Sequence, residues 1–183
     1  MQFETAGEQN TQSTLKAAFE YAVEHEISPV VVATTWGKTG LQAAEMGQKQ
    51  GIAVVAVTHN YGFEEPGVCQ LKAEKRAQIE KTGARIHTGT LVLRGLGSAL
   101  KKKFGYSESE LVATVLRMFG QGMKVCVEMA AMAADAGLVN TQDAVFVAGT
   151  ASGADTAAVI RPAPSNRFFD IKIRHIIAKP FDF

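Results

Sequence analysis

Three short runs of uninterrupted apolar residues constrain the fold more than any other feature: Val30 to Ala33, Ile52 to Val57 and Ala144 to Ala148. A strand with one wet face alternates apolar and polar side chains, and these runs leave no wet face at all. Strands buried on both sides belong to a mostly parallel sheet with helices on both of its faces. Each run also empties into a polar turn: TTWGKTG after Ala33, THNYG after Val57 and GTASGADTA after Ala148. In an open parallel sheet, ligands sit beyond the carboxyl ends of the strands, so these exits are where a site is expected.

The intervening segments carry helical periodicity. In Thr11 to Glu26, the residues Leu15, Ala18, Phe19, Ala22 and Val23 recur at three- and four-residue spacings, with Asn10 or Thr11 as cap. Helices are also predicted over Thr39 to Lys49, Val68 to Lys81, from a capping box at Ser107 and Glu110 to Phe119, and on to Ala136. Ala84 to His87 reads as a short strand, and Ala157 to Pro162 and Phe169 to Ile177 read as extended. The stretch Thr88 to Tyr106, with its four glycines, has no legible period. The expected fold class is therefore a single α/β domain over residues 1–183, a three-layer α/β/α sandwich on a mostly parallel sheet with antiparallel strands at one edge.

Charge and cysteine usage narrow the partners. A formal net charge of +1 gives no global field to gather nucleic acid or an anionic membrane. The only dense basic run, Lys101-Lys102-Lys103, reads as a solvated helix face. No window is long and apolar enough to span a bilayer, and MQFETAGEQNTQ has neither a basic leader nor an apolar stretch. Cys69 and Cys126 lack metal-ligand or CxxC spacing and suit a reducing cytoplasm. No metal site is expected. The methionine-rich run Met118 to Met132 suits a buried helix either inside the chain or between copies, so a homo-oligomer stays open.

The triplet Gly37-Lys38-Thr39 invites a nucleoside-triphosphatase reading, which fails. A P-loop needs a glycine five positions before the glycine of that triplet, and Val32 stands there. A smaller anion site survives: Thr34, Thr35, Gly37, Lys38 and Thr39 set hydroxyls, backbone N–H groups and an ammonium at a helix start. An ordinary capped helix start accounts for the same residues. Gly149, Thr150, Ser152, Gly153, Asp155 and Thr156 repeat the construction, and His59 with Asn60 occupies the third exit. His59 is the candidate acid/base, with Lys38 beside it; His25, His87 and His175 read as structural. Trp36 is a lid over a planar ligand or a surface aromatic. The Gly-x-Gly of RGLGS, Arg94 to Ser98, lacks the third glycine of a dinucleotide fingerprint and reads as a flexible covering segment with Arg94 available.

Those turns carry a resemblance. VVVATTWGKTGLQAAEMG followed by IAVVAVTHN, and DAVFVAGTASGADTAAVIRP, resemble the C-terminal α/β domain of pyruvate kinase. FETAGEQNT, LRMFGQGMKVCVEMAAMAADAGL and TASGADTAAVIRPAPSNRFFDIKIRHIIAKP extend the likeness to stand-alone relatives of that domain in archaea and bacteria. The resemblance implies the three-layer fold without pyruvate kinase activity, since the catalytic barrel has no counterpart here. In some forms of the enzyme the turn matching Thr34 to Thr39 binds a sugar phosphate, a pattern from which Trp36 departs. The stand-alone relatives imply FMN as ligand. Two functions are thus expected as alternatives: an FMN-binding, flavin-dependent protein, or a non-catalytic sensor of sugar phosphates.

Overall fold

The architecture grows out of the buried runs. The structure is a computed structural model that describes residues 1–183. In chain order the strands are β1 (Gln2–Thr5), β2 (Val30–Ala33), β3 (Val54–Thr58), β4 (Arg85–Thr88), β5 (Ala144–Ala148), β6 (Thr156–Arg161) and β7 (Lys172–Asp182). The helices are α1 (Thr11–Glu24), α2 (Lys38–Gln50), α3 (Ala73–Lys81), α4 (Gly95–Phe104), α5 (Glu108–Arg117) and α6 (Gln121–Asp135). Two 3₁₀ segments, Glu8–Asn10 and Ser165–Asp170, complete the chain.

All seven strands join one sheet in the order β1-β7-β6-β5-β2-β3-β4. Val30 pairs with Val54 on one side and with Val145 on the other, both in parallel. β6 runs against both β5 and β7, so the antiparallel pairings lie toward one edge, with β1 outermost and parallel to β7. Successive side chains enter opposite layers, as the pleat requires. Val30, Val32, Val54 and Ala56 face the layer of α1, α2 and α3, where Leu15, Phe19, Ala43 and Ile79 pack. Val31, Val55, Val57 and Phe146 face α6 through Met123, Cys126, Val127 and Met129. α5 packs on α6, and α4 on α5.

Close approach of helices to the sheet depends on missing side chains. A Cβ on Gly47 of α2 would lie 2.4 Å from Val54 Cγ2 and 2.7 Å from the Ile52 carbonyl oxygen. On Gly122 of α6 it would lie 2.2 Å from Thr156 Oγ1. Nearly every residue of α6 from Gly122 to Ala133 is buried, so that part of the methionine-rich run is covered within this chain, while Met118 and Phe119 before it are exposed.

Four segments differ from the sequence-based expectation. Of the stretch expected to be extended from Phe169 to Ile177, Phe169 and Asp170 belong to the second 3₁₀ segment, and β7 starts at Lys172 and runs on to Asp182. The stretch without a legible period contains α4, and its Gly95 and Gly97 lie inside that helix rather than in a covering loop. α3 begins at Ala73, because Val68 to Lys72 belong to the long loop after β3. β1 has no expected counterpart; it is only four residues long and mostly exposed.

One topological step positions the site. From β2 the chain moves outward to β3 and β4, then crosses back over the opposite face through α4, α5 and α6 to place β5 on the other side of β2. The strand order therefore reverses between β2 and β5, and a crevice opens at the carboxyl ends of those two strands.

Candidate functional site

The three polar exits meet there. A cleft of about 500 Å³ is walled by Ala33 to Trp36, Lys38 and Thr39 from the end of β2 onward, by His59, Phe63 and Glu64 from the loop after β3, and by Gly149 and Ala151 to Gly153 from the turn after β5. Arg94, Gln121 and Val125 close the side formed by α4 and α6, and Glu8 enters from the amino-terminal segment.

The first turn is built around one hydroxyl. Thr34 Oγ1 is buried and accepts the N–H groups of Gly37 at 3.1 Å and Gly40 at 3.2 Å, so it caps α2 from inside the fold. Gly37 supplies the left-handed conformation that the turn demands, with φ of 92°. The N–H groups of Thr35, Trp36, Lys38 and Thr39 have no acceptor within the protein. These donors lie at the positive end of the α2 dipole and favour an anion. Lys38 does not stand free beside them, because its ammonium pairs with Glu8 Oε1. The hydrogen bond and charge of Lys38 hold the Glu8 carboxyl below its ordinary range. Glu8 Oε2 accepts in turn from Ser152 Oγ at 3.3 Å, so one acid ties the first turn to the last. Trp36 is 58% exposed at the mouth.

The turn after β5 is held by a buried acid, while its Gly149, Ala151 and Gly153 N–H groups have no acceptor within the protein. Asp155 is fully buried; its Oδ2 accepts the N–H groups of Thr150 at 3.0 Å and Gly7 at 3.1 Å, and its Oδ1 accepts from Thr156 Oγ1 at 2.7 Å. Thr11 Oγ1 takes the N–H of Ala154 at 3.0 Å. Gly149, Ser152 and Gly153 reach the cleft wall, whereas Thr150, Asp155 and Thr156 do not and act as a brace behind it. A Cβ on Gly149 would lie 2.6 Å from the Gly153 carbonyl oxygen, which keeps the turn tight.

At the third exit His59 stacks on Phe63 with ring centroids 3.8 Å apart, and the Arg94 guanidinium lies 4.9 Å from the centre of the Phe63 ring. Burial, and then the charge of Arg94, lower the His59 pKa, so the imidazole is neutral near pH 7. Its Nδ1 is buried without a partner. Asn60 turns away: its Nδ2 donates to the Tyr61 carbonyl at 2.7 Å, and it is absent from the cleft wall, as is Gly37.

The structure adds residues that sequence reasoning passes over. Glu8, Phe63, Gln121 and Val125 line the cleft, and Lys124 and Glu128 form a buried ion pair on α6 beneath it. The last pair leaves a signal, since Lys124 and Glu128 are the only charges between Gln121 and Ala134 and stand four apart on one helix face. Cys126 is no nucleophile: it is fully buried, and burial pushes its thiol pKa up. No three or more His, Cys, Asp or Glu side chains lie together as a metal set. No helix is long and apolar enough to cross a membrane.

The model of the family described as "Pyruvate kinase, alpha/beta domain" matches residues 12–160. Among solved structures, O-ureido-L-serine synthase matches at 17% identity and a TM-score of 0.32, over 58% of this chain and 38% of that one. A hydrogen sulfide-producing enzyme matches at 21% identity and a TM-score of 0.31, over 56% of this chain and 27% of that one. The chain thus spans well under half the length of these enzymes, and likeness at this level says nothing of a shared ligand.

Proposed function

The chain belongs to the pyruvate kinase alpha/beta domain family, and from that premise we propose that it binds a small phosphate-bearing ligand, FMN foremost, without pyruvate kinase activity. One observation carries the reading: the four unpaired N–H groups at the start of α2 open onto a cleft shared by three strand exits. The volume of about 500 Å³ lies in the range of pockets that take cofactor-sized molecules.

The donor set fits a monophosphate. Backbone N–H groups of Thr35, Trp36, Lys38 and Thr39 would hold its oxygens, with the hydroxyls of Thr35, Thr39 and Ser152 nearby. The Lys38 ammonium is committed to Glu8, so backbone donors and the helix dipole supply most of the attraction. For a planar ring the cleft offers the His59–Phe63 stack and Trp36 at its mouth. A bound flavin would supply the electron chemistry, and the protein would supply orientation and polarity. Neutral His59 is positioned to exchange a proton with a ligand atom at the inner end of the cleft. The reducing surroundings suited to two unpaired thiols fit a cytoplasmic location.

The test compares three additives in a melting experiment. FMN should raise the melting temperature and riboflavin, which lacks the phosphate, should do so far less. A colourless protein whose melt ignores FMN excludes the flavin, and a melt raised by sugar phosphates instead would make the protein a metabolite sensor.

A further inference from the structure

Adjoining the cleft, and sharing half of its lining with it, His59 and Arg94 included, is a smaller chamber of about 70 Å³ that reaches Lys124 and Glu128. It has room for about two waters. Its polar groups are out of balance. The Lys124 side chain is 1% exposed, and its ammonium has three N–H donors but a single protein acceptor, Glu128 Oε2. Glu128 has little left to offer, because its Oε1 already accepts the N–H groups of Leu93 at 2.7 Å and Arg94 at 3.2 Å. The Arg94 guanidinium has no hydrogen-bond or carboxylate partner in the protein and rests only over the Phe63 ring. His59 Nδ1 is buried and unpartnered. A buried ammonium and a ring nitrogen, with the exposed Arg94 at the rim, thus line a space whose only carboxylate is engaged.

A buried ion pair is a poor stabilising device, because desolvation offsets its attraction, and unmet donors on a buried ammonium make it poorer. The missing element is an acceptor. We propose that the inner chamber is a binding subsite for the carboxylate group of a small organic acid, held by charge-assisted hydrogen bonds from Lys124 and Arg94 with His59 Nδ1–H as a third donor. Its size favours a planar group of three heavy atoms over a tetrahedral phosphate, which the start of α2 receives in the outer cleft. The subsite stands whether or not the outer cleft holds a flavin.

Formate is the probe, and formamide is its neutral isostere. In a backbone amide NMR titration of the full chain, formate should shift Leu93, Arg94, Lys124 and Glu128 along saturable curves. Formamide, or chloride at matched ionic strength, should not. Arg94→Gln, at a cleft wall, should weaken formate about tenfold, and Lys124→Met should remove the saturable response. If Lys124→Met does not fold, Arg94→Gln alone decides. A response shared by formamide or chloride, an unchanged affinity in Arg94→Gln, or shifts confined to Thr35 through Thr39 would overturn the subsite. Loss of FMN binding would leave these outcomes untouched, so the two readings fail separately.

Discussion

Two turns of nearly the same composition, Thr34 to Thr39 and Gly149 to Thr156, line one cleft, both with unpaired N–H groups, and differ in the buried side chain that organises each. After β2 a single buried hydroxyl, Thr34 Oγ1, satisfies two N–H groups and leaves four others without an acceptor. After β5 one buried carboxylate, Asp155, collects three donors and ties the turn to Gly7 in the amino-terminal segment. The difference arises from the element that each turn leads into, α2 in one case and β6 in the other. A helix leaves its first N–H groups unpaired and aligned along its dipole, whereas the unpaired N–H groups of Gly149, Ala151 and Gly153 precede a strand and have no helix dipole behind them. The first turn can therefore act as a receiver backed by a helix dipole. The second is braced by a buried acid while still offering donors, and composition does not tell which is which.

The largest expected effect tests the brace. Asp155→Ala leaves the N–H groups of Thr150 and Gly7 and the Thr156 hydroxyl without their acceptor in a buried setting, which should cost about 3 kcal/mol or more. Urea denaturation measures it. A variant of wild-type stability that had lost its ligand would make Asp155 a binding group and dissolve the contrast. Thr34→Val should cost less, about 1–2 kcal/mol, because it removes a cap and frees Gly37 and Gly40 N–H at a helix start. Its diagnostic is relative: Thr35→Val, at the same turn but lining the cleft, should leave stability nearly unchanged while weakening a phosphate-bearing ligand.

The same physics decides how much of this is legible in the sequence. Short unbroken apolar runs bounded by turn residues fix buried strands, being too short for a buried helix, so β2 and β5 match their expected bounds residue for residue. The meeting of three exits is readable as well, since parallel strands carry all their carboxyl ends to one edge. Roles within the turns are not. Asp155 and Ser152 are equally polar, and only the reversal into β6 buries one and leaves the other on the wall. α4 is hidden because Gly95 and Gly97 depress helix propensity at its start and no residue of it is buried, so it has no buried apolar face to set a period. Lys38 reads as a free charge because its partner, Glu8, lies thirty positions away.

The third exit gives a smaller, pH-dependent effect. His59 has a folded pKa below its ordinary value near 6.5, chiefly through burial, so the unfolded chain takes up the proton first as pH falls. Stability should be flat for this group above about pH 6.5 and decline between that pH and the lower folded value. His87, also lowered by burial, titrates in the same sense and contributes in parallel. His59→Gln should flatten part of the decline, and adding His87→Gln to it should flatten it further. A decline unaffected by His59→Gln would mean that the ring is not held neutral against Phe63 and Arg94.

The smallest effect probes the join between the two turns. Glu8 holds Lys38 from one side and Ser152 from the other, and it is exposed, so its removal should scarcely alter stability. Binding should change in a direction the receiver reading fixes. Glu8→Gln removes a negative charge from the mouth and releases the Lys38 ammonium toward the unpaired N–H groups of α2, so a phosphate-bearing ligand should bind a few-fold more tightly. Because both charges sit in solvent, the gain should shrink as salt is added. It should also vanish when Lys38→Met is added to Glu8→Gln, since the freed cation is the agent. If Glu8→Gln instead weakens the ligand and the loss persists without Lys38, the bridge to Ser152 is what shapes the wall. The turn after β5 would then owe its place in the cleft to Glu8 as much as to Asp155.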